Sequence, residues 1–183
     1  MALPFHTIGH STRSLAAFVA LLADAGIRLL ADIRTVPRSR TNPQFDRDTL
    51  PDALAPFGIG YEHMAALGGL RGRSRVTPPE VNGYWTNPSF HNYADYALTG
   101  PFAQALDALI AAGRARPCAI MCAEAVWWRC HRRIVADYLL ARGEAVLHIM
   151  DGGPEPARLT EAAVVRPDGT IVYPPPQPGL PFA

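Results

Sequence analysis

Residues 3–33, "LPFHTIGHSTRSLAAFVALLADAGIRLLADI", hold the pattern that decides the fold. "LPFHTI" (3–8) is a short apolar run ending at Gly9, the mark of a strand. "SLAAFVALLADAG" (14–26) places Leu15, Phe18, Leu21 and Leu22 at helical spacing and stops at Gly26. "IRLLADI" (27–33) is a second apolar run of strand length. Strand, helix and strand within about thirty residues make a βαβ unit, which requires parallel pairing.

The alternation continues along the chain. A weaker helix is expected near 48–57, with Pro51 in its first turn, and a third strand at "IGYEHM" (59–64). A Gly/Arg/Pro-rich passage fills 68–90, and helices are expected at 91–98 and 101–113. "PCAIMC" (117–122) reads as a buried strand and "WWRCHRRIVADYLLARG" (127–143) as a helix stopped by Gly143. "AVLHIM" (145–150) is the last core strand, and "AVVRPDGTIVYP" (163–174) a hairpin turning at Asp168-Gly169. The pattern predicts a single α/β domain over 1–174: a three-layer sandwich with a mostly parallel central sheet, helices on both faces and a C-terminal hairpin. A proline-rich tail follows at 175–183.

In parallel sheets of this kind ligands bind beyond the carboxyl ends of the strands. Four predicted strands end in polar residues: "GHST", "DIRTVPRSR", "CAE" and "HIMD". All four tips should share one edge of the sheet.

Composition narrows the chemistry. The 183 residues are 49% hydrophobic and 18% charged, as in an ordinary globular domain. The formal net charge of +1 gives no general attraction to nucleic acid or membrane. All 17 basic residues are arginine, which excludes Schiff-base catalysis by a lysine side chain. Three cysteines are too few for a disulfide framework and suit a reducing compartment. With no basic n-region and no run of about 20 apolar residues, neither a signal peptide nor a membrane span is expected, and a cytoplasmic location is.

"CAEAVWWRCHRR" (122–133) concentrates the reactive groups. Cys122 closes a buried strand and Glu124 lies in the following turn. If the next helix begins near Trp127, both face the positive end of its dipole, which favours thiolates and anions. On that helix Trp127, His131 and Ile134 would share a side, and Asp137 would pair with Arg133. The tryptophans read as packing anchors and Cys118 as core. Cys118 and Cys122 lie about 13 Å apart on one strand and cannot bridge, whereas Cys122 and Cys130 can approach across the turn. Ser11 or Thr12 would cap the first helix, and His10 would point into the cleft. Asp32 and Arg34, two apart, share one side of their strand and also suit a structural ion pair.

Nine of the 17 arginines fall in 34–40, 71–75 and 129–133. Such local concentration without global charge points to a discrete anion site. Metal-ligand residue types are present, but no CxxC pair is, so no metal is assigned and the cofactor stays open.

Taken in order, "IGHST", "LLADIRTVPRSR", "PQF", "LGGLRGR", "PSFHNYADYAL", "CAEAVWWRCHRRIVADYLL" and "HIM" resemble the DUF488 family, a domain of unknown function. The resemblance spans 8–150 and implies an α/β fold. It also points to Gly9, His10, Ser11, Asp32, Arg34, Pro37, Arg38, Gly68, Gly69, Cys122, Glu124, Cys130, His131, Arg132 and His148. It implies no reaction. From the residues, the expected function is an enzyme that binds a phosphate-bearing or other anionic small molecule, a nucleotide among the candidates, at the strand tips and acts by hydrolysis or group transfer. "GHST" is no dinucleotide fingerprint, so hydride transfer is not expected.

The expected catalytic residues are Cys122, Glu124, His10 and His131. Gly9, Ser11, Asp32, Arg34, Arg38, Gly68, Gly69 and Arg132 would bind substrate. Beside a purely structural or interaction role, with the arginine clusters as solvated ion pairs, two other readings compete. One is nucleic-acid binding, with Tyr84 and Trp85 of the 68–90 passage stacking on bases. The other is a thiol or metal sensor built on Cys122 and Cys130.

Overall fold

The computed structural model describes residues 3–176. Six strands form the central sheet, in the order β3-β2-β4-β1-β5-β6. They are β1 (Phe5–Gly9), β2 (Leu29–Asp32), β3 (Gly60–His63), β4 (Cys118–Cys122), β5 (Val146–Met150) and β6 (Gly153–Pro156). β1 to β5 run parallel, and only β6 is antiparallel, paired on the edge with β5. Every residue of β1, β2 and β4 is buried, as apolar runs covered on both faces should be. β6 was not expected. Its sequence, Gly-Pro-Glu-Pro, carries two prolines, which only an edge strand accommodates.

α1 (Leu15–Asp24) and α2 (Leu50–Leu54) cover one face, packing Phe18, Leu22, Leu50 and Leu54 onto Ile8, Leu30 and Met121. α3 (Pro88–Tyr96), α4 (Gly100–Ala115) and α5 (Arg132–Ala141) cover the other, where Tyr93, Phe102, Leu106 and Leu139 meet Phe5, Ile120 and Val146. These are the three layers expected from the sequence. The predicted hairpin is present as β7 (Val164–Val165) and β8 (Ile171–Val172), turning through Gly169 at φ 82°. Ile171 and Tyr173 close the α3–α5 core. The proline-rich tail lies largely outside the described residues.

Local details correct the sequence reading. Ser14, rather than Ser11 or Thr12, caps α1, accepting from the Ala17 N–H at 3.1 Å. The helix expected from Trp127 begins at Arg132 instead. Residues Trp127–Arg129 form a separate 3-10 turn, and Cys130 is extended at φ −128°, ψ 148°. Trp127, His131 and Ile134 therefore do not share a helical face. Trp128 is 45% exposed and anchors nothing. Asp137 does not pair with Arg133; it accepts from the Thr160 N–H and the Tyr173 hydroxyl.

α4 lies close to the sheet because Gly113 faces the buried ring of Phe5. A Cβ there would come within 2.1 Å of that ring. Gly113→Ala should destabilise the fold by roughly 1–3 kcal/mol, since the ring has nowhere to move. Gly152→Ala, with open space around it, should leave the melting temperature unchanged. Thermal melts of the two variants check both.

Candidate active site

β4 lies between β1 and β2. The chain leaves β1 and β2 towards α1 and α2 on one face, and leaves β4 towards α5 on the other. Neighbouring strands with connections on opposite faces open a crevice beyond their carboxyl ends, the position where doubly wound sheets bind ligands. A cleft of about 310 Å³ occupies that place, lined by His10, Arg34, Arg38, Glu124, Arg129 and the Cys122–Cys130 pair. The 68–70 turn and the first turn of α3, with Ser89 and Phe90, form its far wall.

The floor is held by continued pairing past the strand tips. His10 N–H donates to Cys122 O at 3.0 Å and Ser11 N–H to Ala123 O at 2.9 Å. Gly9 allows this approach, for a Cβ there would overlap the carbonyl oxygen of Glu124 at 1.6 Å. Ser11 has φ 49°, the one positive φ of a non-glycine among the described residues. That costly conformation brings its carbonyl to His10 Nδ1 at 2.8 Å. Nδ1 must carry the proton to donate to a carbonyl, so Nε2 presents a lone pair, which accepts from Arg34 Nη1 at 3.3 Å. Burial, then the charge of Arg34, lowers the pKa of His10.

Asp32 and Arg34 form the structural ion pair. Asp32 is fully buried and accepts Arg34 Nε at 2.9 Å, Arg34 Nη2 at 2.6 Å, the Arg34 N–H and the Tyr61 hydroxyl. Its oxygens are saturated, so it orients Arg34 and does not face a ligand. Arg38 stands at the rim, 68% exposed beside Asp48. Arg129, also lining the cleft, makes no ion pair among the described residues.

The sulfurs of Cys122 and Cys130 are in direct contact. Their Cα atoms are 7.4 Å apart, beyond the roughly 4.4–6.8 Å of relaxed bridges, so closing a covalent bridge moves the turn between them. Arg132 lies beneath the pair, 1% exposed. It donates to Cys122 Sγ, to Glu124 O at 2.7 Å and to Ala125 O at 2.9 Å. Burial pushes its guanidinium down to about 10, which leaves it charged at neutral pH. No carboxylate pairs with it among the described residues.

His131 Nε2–H donates to Ile33 O at 2.8 Å, which leaves the Nδ1 lone pair 3.5 Å from Cys130 Sγ. Burial lowers His131 to about 4, so it is neutral at physiological pH. Gly69 presses against this ring, where a Cβ would lie 2.5 Å from Nδ1, and Gly68 presses against Thr35.

The predicted residues therefore divide. His10, Arg34, Arg38, Gly69, Cys122, Glu124, Cys130 and His131 meet around the cleft. Asp32 and Arg132 lie beneath it as supports, and Gly9 and Gly68 serve close packing. Ser11 supplies its backbone. His148 is removed from the cleft. It stacks on Trp127 at 4.4 Å and bonds to the Thr7 hydroxyl, and burial lowers it to about 4.

The 68–90 passage offers no stacking platform at Trp85, which is 7% exposed and packed between Phe90 and Tyr173. Sequence reasoning did not single out Arg129, Ser89 or Phe90 as site residues. Arg129 sat in a recognised arginine cluster, while Ser89 and Phe90 carried no signal beyond the "PSFHNYADYAL" stretch.

The donor atoms of Cys122, Glu124 and Cys130 lie within 4.8 Å of one another, a set able to hold a metal. Among the described residues no helix is long and apolar enough to cross a membrane.

Fold and cleft together define a doubly wound α/β protein with a thiol and arginine site at its switch point. Residues 14–139 match the family described as "Domain of unknown function DUF488", and the chain belongs to that family. No curated protein and no solved structure matches it.

Two outcomes follow from the buried groups. Asp32→Asn leaves Arg34 charged and unpaired, and should cost about 3–5 kcal/mol in urea unfolding. His131 and His148 titrate near 4 when folded and near the ordinary 6.5 when unfolded. Between those values the unfolded chain holds more protons, so stability is full above pH 6.5 and falls as pH drops towards 4. The expected slope is at most about 1.4 kcal/mol per pH unit for each histidine. His148→Gln should flatten it by one proton's worth in urea titrations at stepped pH.

Proposed function

We propose that the protein is an enzyme that binds an anionic small molecule in the switch-point cleft and acts on it through Cys122, by hydrolysis or group transfer. One observation carries this reading. Arg132 is buried and forms no ion pair among the described residues; it donates to Cys122 Sγ, and the Glu124 carboxylate, exposed at the rim, is the other negative group near it. A neutral disulfide would leave that guanidinium only the solvent-exposed Glu124 carboxylate as counter-charge. The reduced thiolate satisfies it, and a thiolate is a nucleophile. Arg38 and Arg129 then supply the attraction for an anion, in the forked geometry that suits phosphate and carboxylate, and Arg34, whose Nε and Nη2 are taken by Asp32 and the Phe45 carbonyl, adds its charge. In this reading Glu124, exposed at the rim, or His10 acts as the general acid/base.

Alkylation of the reduced protein tests both halves together. Iodoacetate, an anion, should modify Cys122 faster than neutral iodoacetamide, the reverse of their order towards a free thiol. Arg129→Ala should remove that preference. Equal or reversed rates in the native protein would overturn the anion cleft. A thermal-shift screen of phosphorylated and carboxylated compounds then identifies the ligand. Saturation at a hundred times the dissociation constant adds about 2.7 kcal/mol.

The closeness of Cys122, Glu124 and Cys130 favours a second reading, a thiol or metal sensor. The Arg132 cation on Cys122 opposes a metal there. Cobalt added to the reduced, chelator-treated protein would reveal such a site by a strong sulfur-to-metal absorption band lost in Cys122→Ser.

A further inference from the structure

We propose that Cys122 and Cys130 form a two-thiol exchange centre whose substrate is a carboxylate-bearing low-molecular-weight disulfide of the glutathione class. The choice of an anionic substrate rests on the cleft reading above; the pairing of the two thiols does not.

Three placements carry the proposal. The two sulfurs touch at the floor of the cleft, eight residues apart in sequence. Their surroundings differ in a way that separates their roles. Cys122 Sγ receives a charged guanidinium N–H from Arg132, which favours the attacking thiolate. Cys130 Sγ lies 3.5 Å from the bare Nδ1 of His131 and 3.5 Å from the Arg132 N–H that opens α5. Cys130 thus has a base for its proton and a helix terminus for the charge that results. The third cysteine takes no part: Cys118 is fully buried at the far end of β4, and burial pushes its thiol up to about 12.

The chemistry balances. Cys122 Sγ⁻ attacks one sulfur of the substrate, the substrate S–S bond breaks, and one thiolate leaves. A mixed disulfide now sits on Cys122. Cys130 gives its proton to His131 Nδ1, and its sulfur attacks Cys122 Sγ. The second substrate thiolate leaves and takes up that proton, and the Cys122–Cys130 bond forms. Two electrons pass from the protein pair to the substrate disulfide, which is reduced to two thiols. Two molecules of a second thiol of the same class reverse the sequence, leave joined as their own disulfide, and restore the pair. Arg132 favours the open form, because its counter-charge returns when the bridge breaks.

The test uses the full chain, fully reduced and freed of reductant, then exposed to glutathione disulfide and followed by intact mass and peptide mapping. The native protein should lose two hydrogens, map as Cys122 bridged to Cys130, and show no lasting adduct. Cys130→Ser should accumulate one glutathione on Cys122. Cys122→Ser should leave Cys130 unmodified. His131→Asn should form the adduct on Cys122 at the native rate but convert it to the bridge about tenfold more slowly or worse. That split between the two steps would not arise from a merely structural role.

A native protein that keeps its glutathione adduct, or stays reduced while a small model thiol reacts, overturns the exchange centre. Cystamine, a cationic disulfide, separates the two readings. At low salt it should react at least about tenfold more slowly than glutathione disulfide. If both close the bridge equally fast, the two-thiol centre stands and the anionic cleft falls.

Discussion

A charged guanidinium taken out of water needs acceptors, and Arg132 finds them for both terminal nitrogens, though not for its buried Nε, in a way that fixes the site. It is the first residue of α5, yet its side chain reaches back to the carbonyls of Glu124 and Ala125 and to the sulfur of Cys122. These contacts tie the start of the helix to the end of β4. The nine residues between them, 123–131, have little regular structure beyond one 3-10 turn. Arg132 is the side chain that draws the Glu124 and Ala125 carbonyls inward, beside the Ser11 N–H that holds Ala123 O. The arginine expected to grip a substrate therefore works below the cleft, and the anion is left to Arg34, Arg38 and Arg129.

The same economy of contacts recurs on the other strands. Asp32 spends all its acceptor capacity on Arg34 and Tyr61, so that Arg34 presents one fixed edge to His10. His10 in turn lies flat on Phe45, 4.5 Å between ring centres. His10, Arg34 and His131 each have a partner behind them that sets their direction, which is the condition for precise chemistry on a rigid scaffold. The glycines belong to this design. Gly9 and Gly69 mark places where the main chain passes too close to Glu124 and to His131 for any side chain to fit.

Much of this was legible in the sequence because fully buried parallel strands advertise themselves as unbroken apolar runs. "FHTIG", "LLAD" and "CAIMC" are such runs, and each ends in polar residues that the fold carries to one edge. Three things were not legible. The helical spacing from Trp127 to Leu140 runs through Cys130 without a break, and no Ser, Thr, Asp or Asn marks the true start at Arg132, whose preceding residue makes no capping bond. Tertiary contacts, not propensity, interrupt that helix. β6 hides because its prolines argue against a strand anywhere but on an edge. Trp85 looked like an exposed platform within a Gly- and Arg-rich loop. The partners that bury it, Phe90 and Tyr173, lie beyond that loop's core and at the other end of the chain.

The topology explains why the chemistry gathers after β4 rather than after β1 or β5. A strand tip is open to ligand only where its neighbours' connections depart on the opposite face. β4 meets that condition on both sides, since β1 and β2 both lead to the α1–α2 face while β4 leads to α5. β5 does not: its tip folds straight into β6, and His148 is sealed under Trp127. A histidine at one strand end is thus sequestered as packing, while the cysteine at another lies on the floor of a cleft. Their residue types alone do not distinguish them. Their places in the winding of the sheet do, and so the reactive pair sits in a loop whose neighbours on both sides leave by the opposite face.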